Sequence, residues 1–318
     1  MPLPEVSIIM PVYNGGAYLR DAVLSVLQQL PLGATPLPRY ELLVVDDHSD
    51  EPLALAVLAE IAGWENVCIL HNAHGRGAAR ARNCGLNAAR GDWIAFLDAD
   101  DLWFPLALAQ RWQVTLDHPQ ACWVAGRIRL LRPGAAGFAS VAQLAPHCPD
   151  AAAAAQAVMA VRQMRRPVAA LAAECLVIPT TTLIRRRLLR AKGGFEESLR
   201  RAEDYHLWLR CADDTDLWLL PAEVAHYRIH SASLTHGDTP RYLHEDRMLA
   251  LLLARPGWSV HRALLLTRLD MVMQDHCYFY RGRRRYGSAL RCALRWLRRR
   301  PLRAAAWKEV LASCLRRG

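Results

Sequence analysis

The sequence lacks any apolar run long enough to span a bilayer; the best candidate, residues 248–254, is cut by Arg255 and Pro256. It also lacks the marks of a signal peptide. Pro2-Leu3-Pro4-Glu5 leads directly into Val6-Ser7-Ile8-Ile9-Met10, with no basic n-region and no small-residue cleavage site, so a cytoplasmic protein is expected. The nine cysteines are odd in number and scattered, and contain no C-x-x-C, which excludes a sequence-evident disulfide or zinc framework. No internal repeat is found, which argues against a solenoid. Acid is nearly missing from residues 281–318, where thirteen Arg or Lys face one carboxylate, Glu309, for a net +12. The other 280 residues carry 27 bases and 29 acids, a net of −2. The body is close to neutral and the tail is cationic, so any anionic partner is expected to be local to the tail.

What the chain does have is a series of apolar strands that end in acids. Residues 93–97 are five uninterrupted apolar residues running into Asp98, Asp100 and Asp101, which suits a strand covered on both faces. In open α/β sheets ligands bind beyond the carboxyl ends of the strands, and Asp98 and Asp100 share a side if extended geometry persists. Two neighbouring carboxylates repel unless a cation lies between them, so Mg²⁺ or Mn²⁺ holding a phosphate is one reading. The other is an acidic N-terminus of a helix from Leu102.

The pattern repeats along the chain. A strand at 6–12 precedes helical spacing at Leu19, Ala22, Val23, Val26 and Leu27. A strand at 40–45 ends in Asp46-Asp47, and a helix follows with Pro52 in its first turn. A strand at 67–70 leads through Gly75 and Gly77 into a helix carrying Arg80 and Arg82. Alternating strands and helices imply βαβ units and a mainly parallel sheet flanked by helices. Further on, 121–131 reads as one or two strands, 133–149 carries little signal, and 151–163 is an Ala-rich helix. Glu203 and Asp204 open another helix, where the dipole favours carboxylates. Strands are expected at 216–220 and 224–229, and helices from about His236 to the end.

Taken together, Pro11-Val12-Tyr13-Asn14, Val45-Asp46-Asp47, Ala81-Arg82-Asn83-Cys84-Gly85-Leu86, Asp98-Ala99-Asp100, Gly194-Phe195 and Glu203-Asp204 resemble the family 2 glycosyltransferases, inverting enzymes of the GT-A fold. No single motif is specific; the ordered set is. The resemblance covers roughly residues 4–235, weakly over 133–173, and does not reach the tail. It implies a glycosyltransferase domain at 1–236, a basic helical extension at 237–318, and transfer from a nucleoside-diphosphate sugar to a saccharide or lipid-linked acceptor. By the same resemblance, Pro11, Tyr13, Asp47, Arg82, Asp98 and His230 serve the donor. Tyr13 stacks on a uracil, Asp47 accepts its N3–H, Arg82 lies by the base or diphosphate, and Asp98 faces the ribose. Asp100 holds the Mg²⁺ or Mn²⁺, and His230, Ser233 and Thr235 contact phosphate. Asp204 matches the catalytic base. One departure is His48, where the family commonly has Gly.

Two rival classes remain at this stage. A nucleotidyltransferase builds a basic Gly-rich loop after its first strand, whereas Tyr13-Asn14-Gly15-Gly16-Ala17 has no base before Arg20. A non-catalytic nucleic-acid binder rests on the basic tail alone, and the tail sorts its charges by helical face instead of interleaving stacking aromatics. Leu290, Ala293, Leu294, Trp296 and Leu297 fall on one side of a first tail helix, and Trp307, Val310, Leu311 and Cys314 on one side of a second. Trp and Leu opposite dense Arg is the composition of a helix lying on an anionic membrane surface, at the inner face of the cytoplasmic membrane for a cytosolic enzyme. Docking on the protein's own body is the alternative.

Overall fold

In the computed structural model of the chain, residues 3–73, 75–134, 138–144, 147–230, 239–240 and 242–315 are described. Their strands are β1 (Val6–Val12), β2 (Tyr40–Asp46), β3 (Val67–His71), β4 (Trp93–Phe96), β5 (Leu102–Trp103), β6 (Trp123–Leu131), β7 (Arg162–Met164), β8 (Thr182–Arg185) and β9 (Leu217–Arg228). They form one sheet in the order β3-β2-β1-β4-β8-β6-β9-β5, with β7 on β9. The chain divides into two compact units, 1–198 with 207–230, and 199–206 with 231–318. Residues 199–206 thus group with the second unit, and the expected boundary near 236 lies outside the described residues.

In the first unit, β3-β2-β1-β4 is the parallel half. The helices Gly16–Leu27, Pro52–Ile61 and Ala78–Ala88 make its crossovers. Ile8, Ile9, Met10, Leu42, Val44, Val45, Ile94, Ala95 and Phe96 are all buried, which is why these strands read as continuous apolar runs. Helix Ala78–Ala88 approaches closely through Gly85: a Cβ there would sit 2.5 Å from Ile9 Cγ2. The chain runs outward from β1 to β3 and then returns to the other side of β1 as β4. That reversal opens a crevice beyond the carboxyl ends of β1 and β4, the usual ligand position in such sheets.

The other half is mixed. β8 runs antiparallel to β4 and β6, β6 pairs β9 in parallel, and β5 and β7 run antiparallel to β9. The two strands expected at 216–220 and 224–229 are one, β9, and it passes through Pro221. The β6–β9 register jumps from Ala125↔Leu219 to Arg127↔Glu223, so Pro221 lies in an irregularity where its missing N–H breaks no ladder bond.

The second unit is helical: Glu245–Ala254, Arg262–Gly282, Tyr286–Arg299 and Ala304–Cys314. On the first tail helix the alternative of docking on the protein's own body holds for Trp296 and its neighbours, in place of a face laid on a membrane. Trp296 is fully buried and its Nε1 donates to Asp270 Oδ1 at 2.7 Å; Ala289, Cys292 and Ala293 are buried beside it. An indole buries more apolar area against the neighbouring helix than any other side chain on this face, and docking wins. The basic residues are also partly committed. Arg281 pairs with buried Glu309, Arg295 with Asp246, and Arg300 and Arg303 with Asp270. Trp296→Ala is expected to cost about 3–5 kcal/mol of this unit's stability in denaturant unfolding. A cost under about 1 kcal/mol would show that the indole is not a packing element.

Candidate active site

Four strand ends converge on the crevice of the first unit. β1 delivers Pro11, Tyr13 and Asn14. Ile9 O accepts from Leu97 N, so Pro11, two residues on, faces the same side just where β4 has ended, and its missing N–H costs no bond. Tyr13 is exposed, with the Arg76 guanidinium 5.4 Å from its ring centroid. Asn14, at φ 50°, ties two loops together. Its Oδ1 accepts from Asp50 N and Glu51 N, and its Nδ2 donates to Asp50 Oδ1 at 2.6 Å.

After β2, Asp47 is buried. Its Oδ1 accepts from Asn72 Nδ2 and its Oδ2 from Gly77 N, each at 2.7 Å. The carboxylate therefore holds the turn that leads into helix Ala78–Ala88, and each oxygen keeps a second lone pair for a ligand donor. His48 follows at φ 68°, the left-handed conformation in which glycine carries no Cβ penalty. The loop thus keeps a glycine-type backbone although the residue is histidine. Since the His48 side chain is exposed, His48→Gly is expected to stabilise the protein by up to about 1 kcal/mol, relief of strain exceeding the added chain entropy. A lower melting temperature would contradict that.

The extended geometry on which a shared direction of Asp98 and Asp100 depended does not persist. β4 ends at Phe96, and Asp101 N donates to Asp98 O at 2.9 Å, so residues 98–101 form a turn in which strand alternation no longer applies. Asp98 accepts from Arg82 Nη2 at 2.6 Å, with Arg82 buried and its guanidinium 5.5 Å from the Phe195 ring. Asp100 Oδ2 lies 3.0 Å from His230 Nε2, and Tyr18 packs on the His230 ring at 4.9 Å. Burial first, and then the Asp98 charge, raise the Asp100 carboxyl above its ordinary range; the His230 hydrogen bond opposes this. Nor does Asp101 cap a helix. Leu102–Trp103 is strand β5, and the helix begins at Ala107. Asp101 is buried, accepts from Thr180 Oγ1 at 2.8 Å and Arg228 N at 3.2 Å, and burial pushes its carboxyl well above the ordinary range.

Sequence reasoning missed the support around these acids. The buried Arg228 guanidinium donates to Asp100 O at 3.3 Å and to Asp21 Oδ2 at 3.1 Å, fixing the backbone of the turn. Its only sequence signal was a base closing an apolar strand. Thr180 gave none beyond a Thr-rich break.

Asp204 falls with the second unit, in the first turn of helix Glu203–Ala212, and its Oδ1 accepts from Tyr205 N at 2.8 Å. Ser233 and Thr235 lie outside the described residues. Among the described residues no group of three or more His, Cys, Asp or Glu could hold a metal ion.

Residues 7–130 match Glycosyl transferase family 2. Over 98 residues the chain is 42% identical to the Escherichia coli UDP-Glc:alpha-D-GlcNAc-diphosphoundecaprenol beta-1,3-glucosyltransferase WfgD, covering 31% of this chain and 36% of that one. Over 100 residues it is 37% identical to the putative teichuronic acid biosynthesis glycosyltransferase TuaG of Bacillus subtilis, covering 31% and 37%. The chain thus spans little more than a third of the length of these curated relatives. Among solved structures, S. aureus TarS 1–349 in complex with UDP-GlcNAc superposes with a TM-score of 0.63 at 16% identity, over 97% of this chain and 89% of that one. The mannosyltransferase PcManGT from Pyrobaculum calidifontis, in complex with GDP-Man and Mn²⁺, gives 0.60 at 18% identity, over 99% and 81%. At these identities the superpositions establish the fold, which is of the GT-A type, with C-terminal helices present.

Proposed function

We propose, for a chain whose residues 7–130 match the model of glycosyl transferase family 2, an inverting glycosyltransferase that moves a sugar from a nucleoside-diphosphate donor, UDP-hexose in the first instance, to a hydroxyl of a saccharide or lipid-linked acceptor in envelope polysaccharide synthesis. The observation that carries this reading is the set of groups at the carboxyl end of the parallel strands, Tyr13, Asp47, Asp98, Asp100 and His230 after the strands and Arg82 on helix Ala78–Ala88. Tyr13 offers a ring for the base, and Asp47 an acceptor for an N–H of it. Asp98, held by Arg82, is oriented for ribose hydroxyls. Arg82 and His230 supply positive charge for the diphosphate.

The residues present fit a divalent cation. Asp100 is a partly exposed carboxylate whose ionised form is disfavoured by burial and by Asp98, the condition a cation relieves. Mg²⁺ or Mn²⁺ commonly takes one or two carboxylates with substrate phosphates completing its shell, so the lack of a three-residue cluster among the described residues is compatible with such a site. Asp100 would hold the ion, with His230 beside it; when bound, the ion neutralises charge on the leaving diphosphate. Asp204 takes the proton of the acceptor hydroxyl as that oxygen attacks the anomeric carbon opposite the leaving group. The experiment is hydrolysis and transfer measured across a panel of sugar nucleotides, with and without divalent metal. Turnover of at least one donor without pyrophosphate as substrate or product supports transfer. Pyrophosphate release from a nucleoside triphosphate and a sugar phosphate would instead establish a nucleotidyltransferase.

For the membrane partner, support now centres on the last helix. No described helix is long and apolar enough to cross a membrane. Trp307, Leu311 and Leu315 are exposed at a four-residue spacing, Leu302 is 98% exposed, and Lys308 is exposed among them. This stripe is the surface we assign to an anionic bilayer. Because Trp296 belongs to the core of its unit, deletion of the tail would confound the test, and point variants serve instead. Trp307→Ser with Leu311→Ser is expected to reduce co-sedimentation with anionic liposomes severalfold; equal sedimentation would remove the assignment.

A further inference from the structure

Four arginines, Arg185, Arg186, Arg187 and Arg190, together with Asp92, line a cleft of about 300 Å³ in the first unit. Asp92 immediately precedes β4, and Arg185 closes β8 opposite Trp93, so the cleft lies at the amino end of the parallel strands. The chain from Asp92 to Asp98 covers about 20 Å if extended, so this cleft is distinct from the donor crevice at the other end of β4.

The charges here are poorly compensated. Asp92 is the only carboxylate among the described lining residues and is largely exposed, and its ion pair among the described residues is with Arg186, at 3.8 Å. Arg187 has Cys122 Sγ at 3.7 Å as its partner, and neither Arg187 nor Arg190 has a salt bridge among the described residues. Two of the four are anchored in place. Arg185 stacks on the Trp93 ring at 4.1 Å, and its buried Nε has no hydrogen-bond partner among the described residues. Arg186 donates to Ala89 O. The other two are exposed and lie three residues apart on helix Arg186–Ala191, hence on one face.

We propose that this cleft is a binding site for a phosphate-bearing anion, separate from the donor site and independent of how that site is read. Four gathered guanidinium groups facing one exposed carboxylate repel one another, and an anion that takes several N–H donors at once removes that repulsion. Guanidinium forks match phosphate oxygens in bidentate fashion, which a lone lysine ammonium does not. Nucleic acid is a poorer fit, since Trp93, the aromatic ring at the cleft, is buried beneath Arg185 and leaves no face for a base.

The test titrates the full chain with inorganic pyrophosphate in calorimetry, with a chelator present so that metal-bridged binding at Asp100 does not contribute. The doubly substituted Arg187→Gln, Arg190→Gln chain is compared with the parent. Both arginines are exposed, so the fold is expected to persist. Loss of about tenfold or more in pyrophosphate affinity in the double variant is the expected result. Equal affinity of double variant and parent, or no binding by either, overturns the proposal. A parallel arm with phosphatidate vesicles identifies the source once pyrophosphate binding is lost. If vesicle binding falls in the double variant as well, the site takes a lipid-borne phosphate; if vesicle binding is unchanged, it takes a soluble one. Failure here leaves sugar transfer untouched, because that reading is scored on donor turnover.

Discussion

Asp100→Asn is expected to bind UDP with the same affinity whether Mg²⁺ or chelator is present, while the parent protein binds about 100-fold more tightly with the metal. The amide keeps the shape of the side chain and can still meet His230 Nε2, now 3.0 Å from Oδ2, but it lacks the charge a hard cation requires. The same substitution carries a second signature. Burial and the neighbouring Asp98 disfavour the ionised form of Asp100, so removing that charge is expected to leave the melting temperature of the ligand-free protein unchanged or higher. A carboxylate kept for structure would give the reverse, unchanged metal dependence and a lower melting temperature. Calorimetry with and without chelator, alongside a thermal melt, separates the two. Metal-independent UDP affinity already present in the parent would end the metal assignment.

The second large effect is at Asp204. Asp204→Asn is expected to fold and to bind donor as the parent does, because the amide oxygen can still accept from Tyr205 N and helix Glu203–Ala212 keeps its first-turn acceptor. Its turnover is expected to fall by about 10²–10⁴-fold, the usual contribution of a positioned general base. The amide cannot take the acceptor's proton. A fall confined to KM would assign Asp204 to binding, and turnover within a few-fold of the parent would exclude it as the base. Glu203→Gln serves as the neighbouring control, with a smaller effect expected.

The parallel half of the sheet was legible in the sequence because strands buried on both faces have few polar positions. Residues 42–45 and 93–97 announce themselves as apolar runs, and their ends announce themselves as acids. The helix start at Pro52 was legible too, for proline acts through local backbone geometry alone. Local sequence also marked Asp47, Asp98, Asp100 and Asp204 as candidates, since acids directly after an apolar strand or opening a helix fell into an ordered set of motifs.

Pairing across the chain was not legible. Whether Trp296 faces lipid or protein depends on what lies opposite, and Asp270 on another helix decides it. The long strand β9 absorbs Pro221 only because β6 shifts register beside it. The direction of Asp98 and Asp100 is set by Arg82 and by His230, 130 residues away from Asp100, and Arg228 holds the turn from a similar distance. The sequence by itself determined which strands are buried and where carboxylates meet their ends, because burial and charge are properties of single residues and their spacing. The tertiary structure alone decided which cation each carboxylate faces and which tail face is covered, because those depend on partners that only the folded topology brings within a few ångströms.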